Sequence, residues 1–256
     1  MSEARSWMDA AEAVARVAGE VALRHYHRGV IVETKGDGTP VSVADRQAEE
    51  AARAWLEKHC PEDGILGEEL GTTRPDARRR WILDPIDGTK SFVRRVPLWG
   101  TLVALAEGEK VLAGAAYFPA VDEILVAAQG AGCLWNGKPA RVSAVSQLSD
   151  AVVLTTDARM GTPAQVAGLD SLCLRAGHVR TWGDCYGYLL VATGRAEVMT
   201  DAVMAPWDAA ALQPIIEEAG GVFTDWSGRR TAFGGSTVAS NAALSAEVRA
   251  ALGGSR

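Results

Sequence analysis

From Leu98 to Val142 the chain reads as a series of apolar runs cut by Glu-Gly-Glu, Pro119, Gln-Gly and Asn-Gly. Some runs alternate with polar residues and some are continuous, and no helical period joins them. Asn-Gly and Gly-centred turns between apolar runs close hairpins. This stretch therefore predicts a meander of antiparallel strands, and the rest of the chain must cover the faces of that sheet. A helix from about 6 to 28, with Val14, Val17 and Val21 at helical spacing, is one cover, and a helix from Ala44 to His59 is another. Between them a short β-branched strand runs into a Gly/Asp/Pro turn. The first part of the chain is an α+β layer.

After residue 150 the rhythm changes. "AVVLTTD", "HVRTWGD" and "AEVMTDA" read as strands, alternating with helices at "TPAQVAGLDSLCLRAG", "CYGYLLVATG" and "APWDAAALQPIIEEAGG". "STVASNAALSAEVRAALG" closes the chain as strand, cap and helix. Strand–helix alternation is the mark of an α/β unit. Two subdomains are expected, 1–148 and 149–256, packed face to face. With 48% hydrophobic and 23% charged residues the chain has material for a sizeable core. A net charge of −6 argues against a nucleic-acid surface. The four cysteines form no CxxC pair, which fits a reducing, cytoplasmic setting. No signal peptide and no membrane span are expected.

The chemistry lies in the acids. "WILDPIDGTKSF" (81–92) carries a buried strand into Asp84 and Asp87, with Pro85 between them and Gly88-Thr89 behind them. Acids at the ends of buried strands are costly unless paired or bound to a cation, and all-oxygen clusters suit magnesium rather than zinc. Pro85 fixes the backbone so that the Ile86 carbonyl can turn toward the same point as both acids. Gly88 permits a tight turn into a helix start, whose N–H groups favour anions. Alone, "IDGT" also reads as a hairpin turn, "GEEL" (67–70) as a solvated loop, and "PWDAA" (206–210) as a helix start. Together, a cation site beside a phosphate cradle fits metal-assisted hydrolysis of a phosphate ester. No Ser-His-Asp or Cys-His arrangement is visible, and His25, His27, His59 and His178 have no metal spacing.

The ordered set "GEE", "DPIDGT", "PWDAAAL" and "EEAGG" resembles the inositol monophosphatase family of magnesium-dependent phosphatases, over nearly the whole chain. Two positions depart from the family pattern, Leu83 and Lys90, and neither is a presumed ligand. The resemblance implies a layered α-β-α-β-α sandwich of the inositol monophosphatase/fructose-1,6-bisphosphatase type and a homodimer; Trp99 and Trp135, read as exposed in the strand meander, are candidate contributors to its surface. It implies two or three Mg2+ ions held by Glu68, Asp84, the Ile86 carbonyl, Asp87 and Asp208. It implies a water oriented by Glu68 and Thr89, the latter supported by Asp45, and a phosphate on the backbone N–H groups of Gly88 and Thr89.

The substrate would be a small phosphate monoester. "VPLWGTL", "RTWGDCYGY" and Asp201, seven residues before Asp208, resemble the bacterial histidinol-phosphate phosphatases of the family. In that reading Asp184 or Asp201 pairs with the ammonium of histidinol phosphate, with Asp87 also at the substrate. Trp182 or Tyr186 packs on the imidazole, and Arg180 holds the phosphate or orients Asp201. The enzyme would serve histidine biosynthesis. The other readings are an inositol-1-phosphate or broad sugar-phosphate phosphatase, and a non-catalytic metal- or phosphate-binding regulator. "WGDCYGY" also reads as a helix capped by Asp184.

Overall fold

The structure, a computed structural model, describes residues 3–28, 32–34 and 40–253. Helix α1 (Glu3–Arg28) buries a stripe of small residues, Ala11, Ala15, Ala18 and Ala22, together with Met8 and Val14. Strands β1 (Val32–Thr34) and β2 (Pro40–Ser42) pair antiparallel, and β2 runs directly into α2 (Val43–His59). The expected Gly/Asp/Pro turn between them lies outside the described residues. Helix α2 turns Ala44, Ala48 and Ala52 inward, so α1 and α2 pack closely.

The next strands are β3 (Gly64–Gly67), β4 (Gly71–Thr73) and β5 (Arg80–Asp87), followed by the short helix α3 (Thr89–Val93). The meander follows as β6 (Gly100–Glu107), β7 (Lys110–Phe118), β8 (Glu123–Ala128), β9 (Gly132–Trp135) and β10 (Lys138–Pro139). All these strands except β1 and β2 form one eight-stranded sheet in the order β10-β9-β8-β7-β6-β5-β3-β4. Only β3 and β5 pair parallel. Asn136 and Gly137 both have positive φ, 47° and 77°, as a two-residue hairpin turn requires. The period of two then sorts the side chains. Leu83, Val103, Leu105, Ala115 and Tyr117 face α1 and α2, whereas Ile82, Leu102, Ala104, Ala116 and Phe118 face the other way.

The second half runs β11 (Val152–Leu154), α4 (Pro163–Arg175), β12 (His178–Arg180), α5 (Asp184–Ala192) and β13 (Val198–Asp201). It continues as α6 (Pro206–Ala209), α7 (Leu212–Glu218), β14 (Gly221–Thr224), β15 (Thr237–Asn241) and α8 (Ser245–Ala251). The second sheet has the order β12-β11-β13-β15-β14, parallel across the first three strands and antiparallel across the last three. Leu154, Met199, Phe223 and Ala239 pack with α5 and α7 against the first sheet. Val153, Val198 and Val238 turn to the opposite face with Leu172 of α4 and Val248 of α8. The result is the α-β-α-β-α sandwich. One apolar cluster, with α5 and α7 at its centre, takes residues from both sides of position 148. No helix among the described residues is long and apolar enough to cross a membrane.

Two expectations fail here. "PWDAAALQPIIEE" is two helices, not one, because Pro214 has no N–H to give the Ala210 carbonyl; it sits instead in the first turn of α7, where a proline is tolerated. Trp99 is fully buried between Tyr26 and Phe92, at ring distances of 5.4 and 4.8 Å, and is not a surface tryptophan. Trp135 is half-buried against the core, with the Arg195 guanidinium 4.9 Å from its ring. Both rings complete the chain's own packing.

Candidate active site

Strand β5 is covered on both faces and paired on both edges as far as Leu83, and with β6 as far as Asp84. Its register with β6 then slips, because Asp84 faces Leu102 and Asp87 faces Gly100. Three steps on one strand answer two on the other, which is a β-bulge. Proline is tolerated at a bulge, where no ladder hydrogen bond is asked of it. The freed groups find local partners. The Pro85 carbonyl accepts from Thr101 Oγ1 at 2.8 Å, and the Ile86 N–H donates to Asp84 Oδ1 at 3.0 Å. Thr89 Oγ1 donates to the Ile86 carbonyl at 3.1 Å. Gly88 then starts α3 at φ 85°, where a side chain would be strained. A Cβ on Gly88 would also stand 3.2 Å from Asp184 Oδ2, so the carboxylate of α5 hangs directly over this turn.

Other elements bring further acids to the bulge. Glu68 sits in the turn after β3, its N–H on the Leu83 carbonyl at 3.2 Å. Asp208 lies in the first turn of α6, where its Oδ2 accepts from the Ala205 N–H at 2.8 Å. Carboxylate oxygens of Asp84, Asp87 and Asp208 lie within 4.8 Å of one another. Asp45, in the first turn of α2, is 1% exposed and near enough to Asp84 to act on its charge. Asp87 Oδ2 accepts the Cys185 N–H at the start of α5, at 2.6 Å. A cavity of 230 Å³ opens on this group, and Glu68, Asp87, Thr89, Asp184, Asp201 and Asp208 line it.

The acids suppress one another's ionisation. Burial, with Glu68, Asp87, Asp208 and Asp45 around it, pushes the Asp84 carboxyl well above the usual range. Burial, then Asp184 and Asp208, raise Asp87 well above that range against the opposing Cys185 hydrogen bonds. Asp208 is pushed up to about 6 by burial, with Glu68 adding and the Ala205 N–H opposing. Asp184 is pushed up to about 6 by burial and Asp201, with Lys90 opposing. Carboxylates gathered this closely, one buried and two half-buried, offer only oxygen and are the donor set of a hard divalent ion. The residues fit the metal that the sequence implies.

A stability test follows from the signs. These acids bind protons more tightly in the folded than in the unfolded chain. In chelator the protein should lose stability as pH rises from near 4 through about 6, where Asp184 and Asp208 ionise, and keep losing it as pH rises further through the raised Asp84 and Asp87. A tenfold change in proton affinity is worth about 1.4 kcal/mol. Melting in EDTA should therefore show Tm lower at pH 7.5 than at pH 5 by roughly 5 °C or more, and saturating Mg2+ should abolish the trend. A Tm that rises across that window in EDTA would contradict the clustering.

Of the residues singled out from sequence, Asp45, Glu68, Asp84, Ile86, Asp87, Gly88, Thr89, Asp184, Asp201 and Asp208 come together, and Arg180 does not. Arg180 is exposed on edge strand β12, donates to the Val179 carbonyl and lies 6.0 Å from the Trp182 ring. Asp201 is oriented by other groups. Its Oδ1 takes the Thr156 N–H and its Oδ2 the Tyr188 hydroxyl, both at 3.0 Å. Asp184 lines the same cavity, near Lys90. Asp184 does not cap α5 either, because Gly183 is the cap residue and no side-chain cap bond forms. Trp182 and Tyr186 do not line the cavity; Met160, Val203 and Met204 supply its apolar wall. Cys185, Thr156 and Tyr188 were missed. Cys185 and Thr156 act through partners 98 and 45 positions away and Tyr188 through one on another element, and no local pattern announces such pairings.

Comparison with known proteins agrees with this geometry. The model of the inositol monophosphatase family matches residues 3–253. The chain is 43% identical over 243 residues to a histidinol-phosphatase of Chlorobaculum parvum, covering 94% of each. It is 40% identical over 226 residues to a histidinol-phosphatase of Mycobacterium tuberculosis, covering 85% of this chain and 86% of that one. Among solved structures, an inositol monophosphatase from Zymomonas mobilis aligns at 32% identity with a TM-score of 0.89, covering 99% of this chain and 100% of that one.

Proposed function

The chain belongs to the inositol monophosphatase family and is a metal-dependent phosphoric monoester hydrolase, and on that premise we propose that it hydrolyses L-histidinol phosphate to L-histidinol and phosphate with Mg2+. One observation carries the choice of substrate. The Asp184 carboxylate stands over the Gly88 turn, 3.2 Å from where a Cβ would be, so a carboxylate lines the cavity beside the turn read as the phosphate cradle. An ammonium-bearing alcohol profits from that charge, and a neutral polyol does not. The names of the two bacterial relatives point the same way.

The ligand set proposed for two or three ions is Glu68, Asp84, the Ile86 carbonyl, Asp87 and Asp208. Bound there, magnesium lowers the pKa of a coordinated water and neutralises charge on the phosphate. The chain's own groups position the reactants. Glu68 and Thr89 orient the water for in-line attack, and the buried Asp45 supports Thr89. The Gly88 and Thr89 N–H groups hold the phosphate, while Asp87 and Asp184 face the alcohol. Residues 1–148 supply the metal and phosphate motif, and 149–256 complete the pocket. A cytoplasmic homodimer in histidine biosynthesis is the setting this reading gives.

Inositol-1-phosphate or sugar-phosphate hydrolysis is the second reading, favoured by the likeness to the Zymomonas enzyme. A silent regulator is disfavoured, because every acid of the presumed site is present. Dialysis against EDTA should abolish phosphate release from L-histidinol phosphate, and added Mg2+ should restore it. Release that survives chelation would overturn the metal mechanism.

A further inference from the structure

Glu49 lies one helical turn after Asp45 on α2, is 0% exposed, and lines no part of the active-site cavity. Its carboxylate is fully engaged by the turn that carries Glu68. Oε2 accepts the Glu69 N–H at 2.8 Å, and Oε1 accepts the Leu70 N–H at 3.2 Å. Gly67 is pressed against the same carboxylate so closely that a Cβ there would overlap it, 1.9 Å from Oε1. The Arg53 guanidinium, also buried, binds Glu49 Oε1 at 2.7 Å and reaches the Gly71 carbonyl at 2.5 Å on the far side of the turn. On its other flank the Glu68 N–H is tied to the carbonyl of Leu83, the residue before Asp84.

Burying a charged pair is expensive, and two turn N–H groups at the edge of a sheet could be met by water at far less cost. What the pair adds is a fixed backbone on both sides of one residue. We propose that Glu49, held by Arg53, is the positioning residue for Glu68: it clamps residues 67–71 so that the Glu68 carboxylate is presented to the metal site at a set distance from Asp84. The "GEEL" stretch then has a role at each place. Gly67 allows the carboxylate to approach, Glu68 enters the site, and Glu69 and Leu70 lend their N–H groups. Asp45 and the clamp share one helix, so α2 fixes two acids of the site at once. The inference rests on the reading of Glu68 as a metal ligand.

The test is a double-mutant cycle on magnesium binding, measured by titration calorimetry on the full chain without substrate. Groups that orient a metal ligand typically cost roughly 10–100-fold in affinity when removed. Glu49→Gln should therefore weaken Mg2+ binding by about tenfold or more, and Glu68→Gln by at least as much. The double variant should bind no more weakly than Glu68→Gln alone, because Glu49 acts only through Glu68. A merely structural Glu49 would lower the melting temperature and give losses that multiply in the double variant, which overturns the proposal. So does unchanged binding in Glu49→Gln beside impaired binding in Glu68→Gln. Unchanged binding in Glu68→Gln overturns the ligand reading and the inference with it. If Glu49→Gln fails to fold, Arg53→Lys replaces it in the same cycle. It keeps the charge but loses the second arm on the Gly71 carbonyl, and its smaller loss must likewise vanish in the Glu68→Gln background.

Discussion

Replacing Asp84 with asparagine is expected to cut magnesium-dependent phosphate release by roughly a thousandfold or more, about 4 kcal/mol of transition-state stabilisation. The metal-free chain should melt no lower than the wild type. Both parts follow from what surrounds this residue. Asp84 is buried among Glu68, Asp87, Asp208 and Asp45, which together push its carboxyl far toward the neutral form. Asparagine keeps the Oδ1 that accepts the Ile86 N–H at 3.0 Å. Its amide needs no proton to stay neutral among the crowded acids, so folding without metal is not penalised. The same change takes a hard oxygen from the Asp84–Asp87–Asp208 cluster and points N–H groups at the cations. In melting experiments Mg2+ should raise Tm for the wild type and not for the variant. Full activity, or an undiminished Mg2+ effect on Tm, would contradict the assignment.

Asp184→Asn should separate substrates rather than abolish turnover. For L-histidinol phosphate, kcat/KM should fall about a hundredfold, near 2.7 kcal/mol, within the range for losing one partner of a buried charge pair. For myo-inositol 1-phosphate the change should stay within about threefold, since no ammonium is involved. The fold should hold. Asp184 sits at φ 50°, a conformation asparagine also tolerates, and α5 takes no side-chain cap from it. The backbone N–H remains on Thr156 Oγ1 at 2.8 Å. An equal loss with both substrates would assign Asp184 to the phosphate end and remove the argument for a cationic alcohol.

What the chain discloses before folding is what is local. The meander is legible because Asn136-Gly137 and the Gly-centred turns announce themselves between apolar runs, although β6 and β7, buried on both faces, show no alternation in sequence. Asp84, Asp87 and Gly88 are legible because strand, bulge and helix start fall within a few consecutive residues. The partners are not legible. Cys185 meets Asp87 across 98 positions, and Thr156 and Tyr188 close on Asp201 from two other elements. Hence Asp184 and Asp201, alike in the sequence, differ in the structure: both line the cavity, but the Asp201 carboxylate is held by Thr156 and Tyr188, whereas the Asp184 carboxylate overhangs the Gly88 turn. Arg180 fails for the same reason, since only the sheet order reveals that β12 is an edge strand. Trp99 shows that a large aromatic beside a loop is no sign of a surface. Glu49 could be found only by asking what holds Glu68.

The proposed activity is metal-dependent hydrolysis of an ammonium-bearing phosphate monoester. The most direct measurement is phosphate release by the wild-type chain with saturating Mg2+, comparing kcat/KM for L-histidinol phosphate and myo-inositol 1-phosphate in one assay. A preference for histidinol phosphate of about a hundredfold or more, near 2.7 kcal/mol, is predicted. Equal rates, or a preference for the inositol ester, would contradict the substrate assignment and return the Asp184 carboxylate to the metal and phosphate machinery.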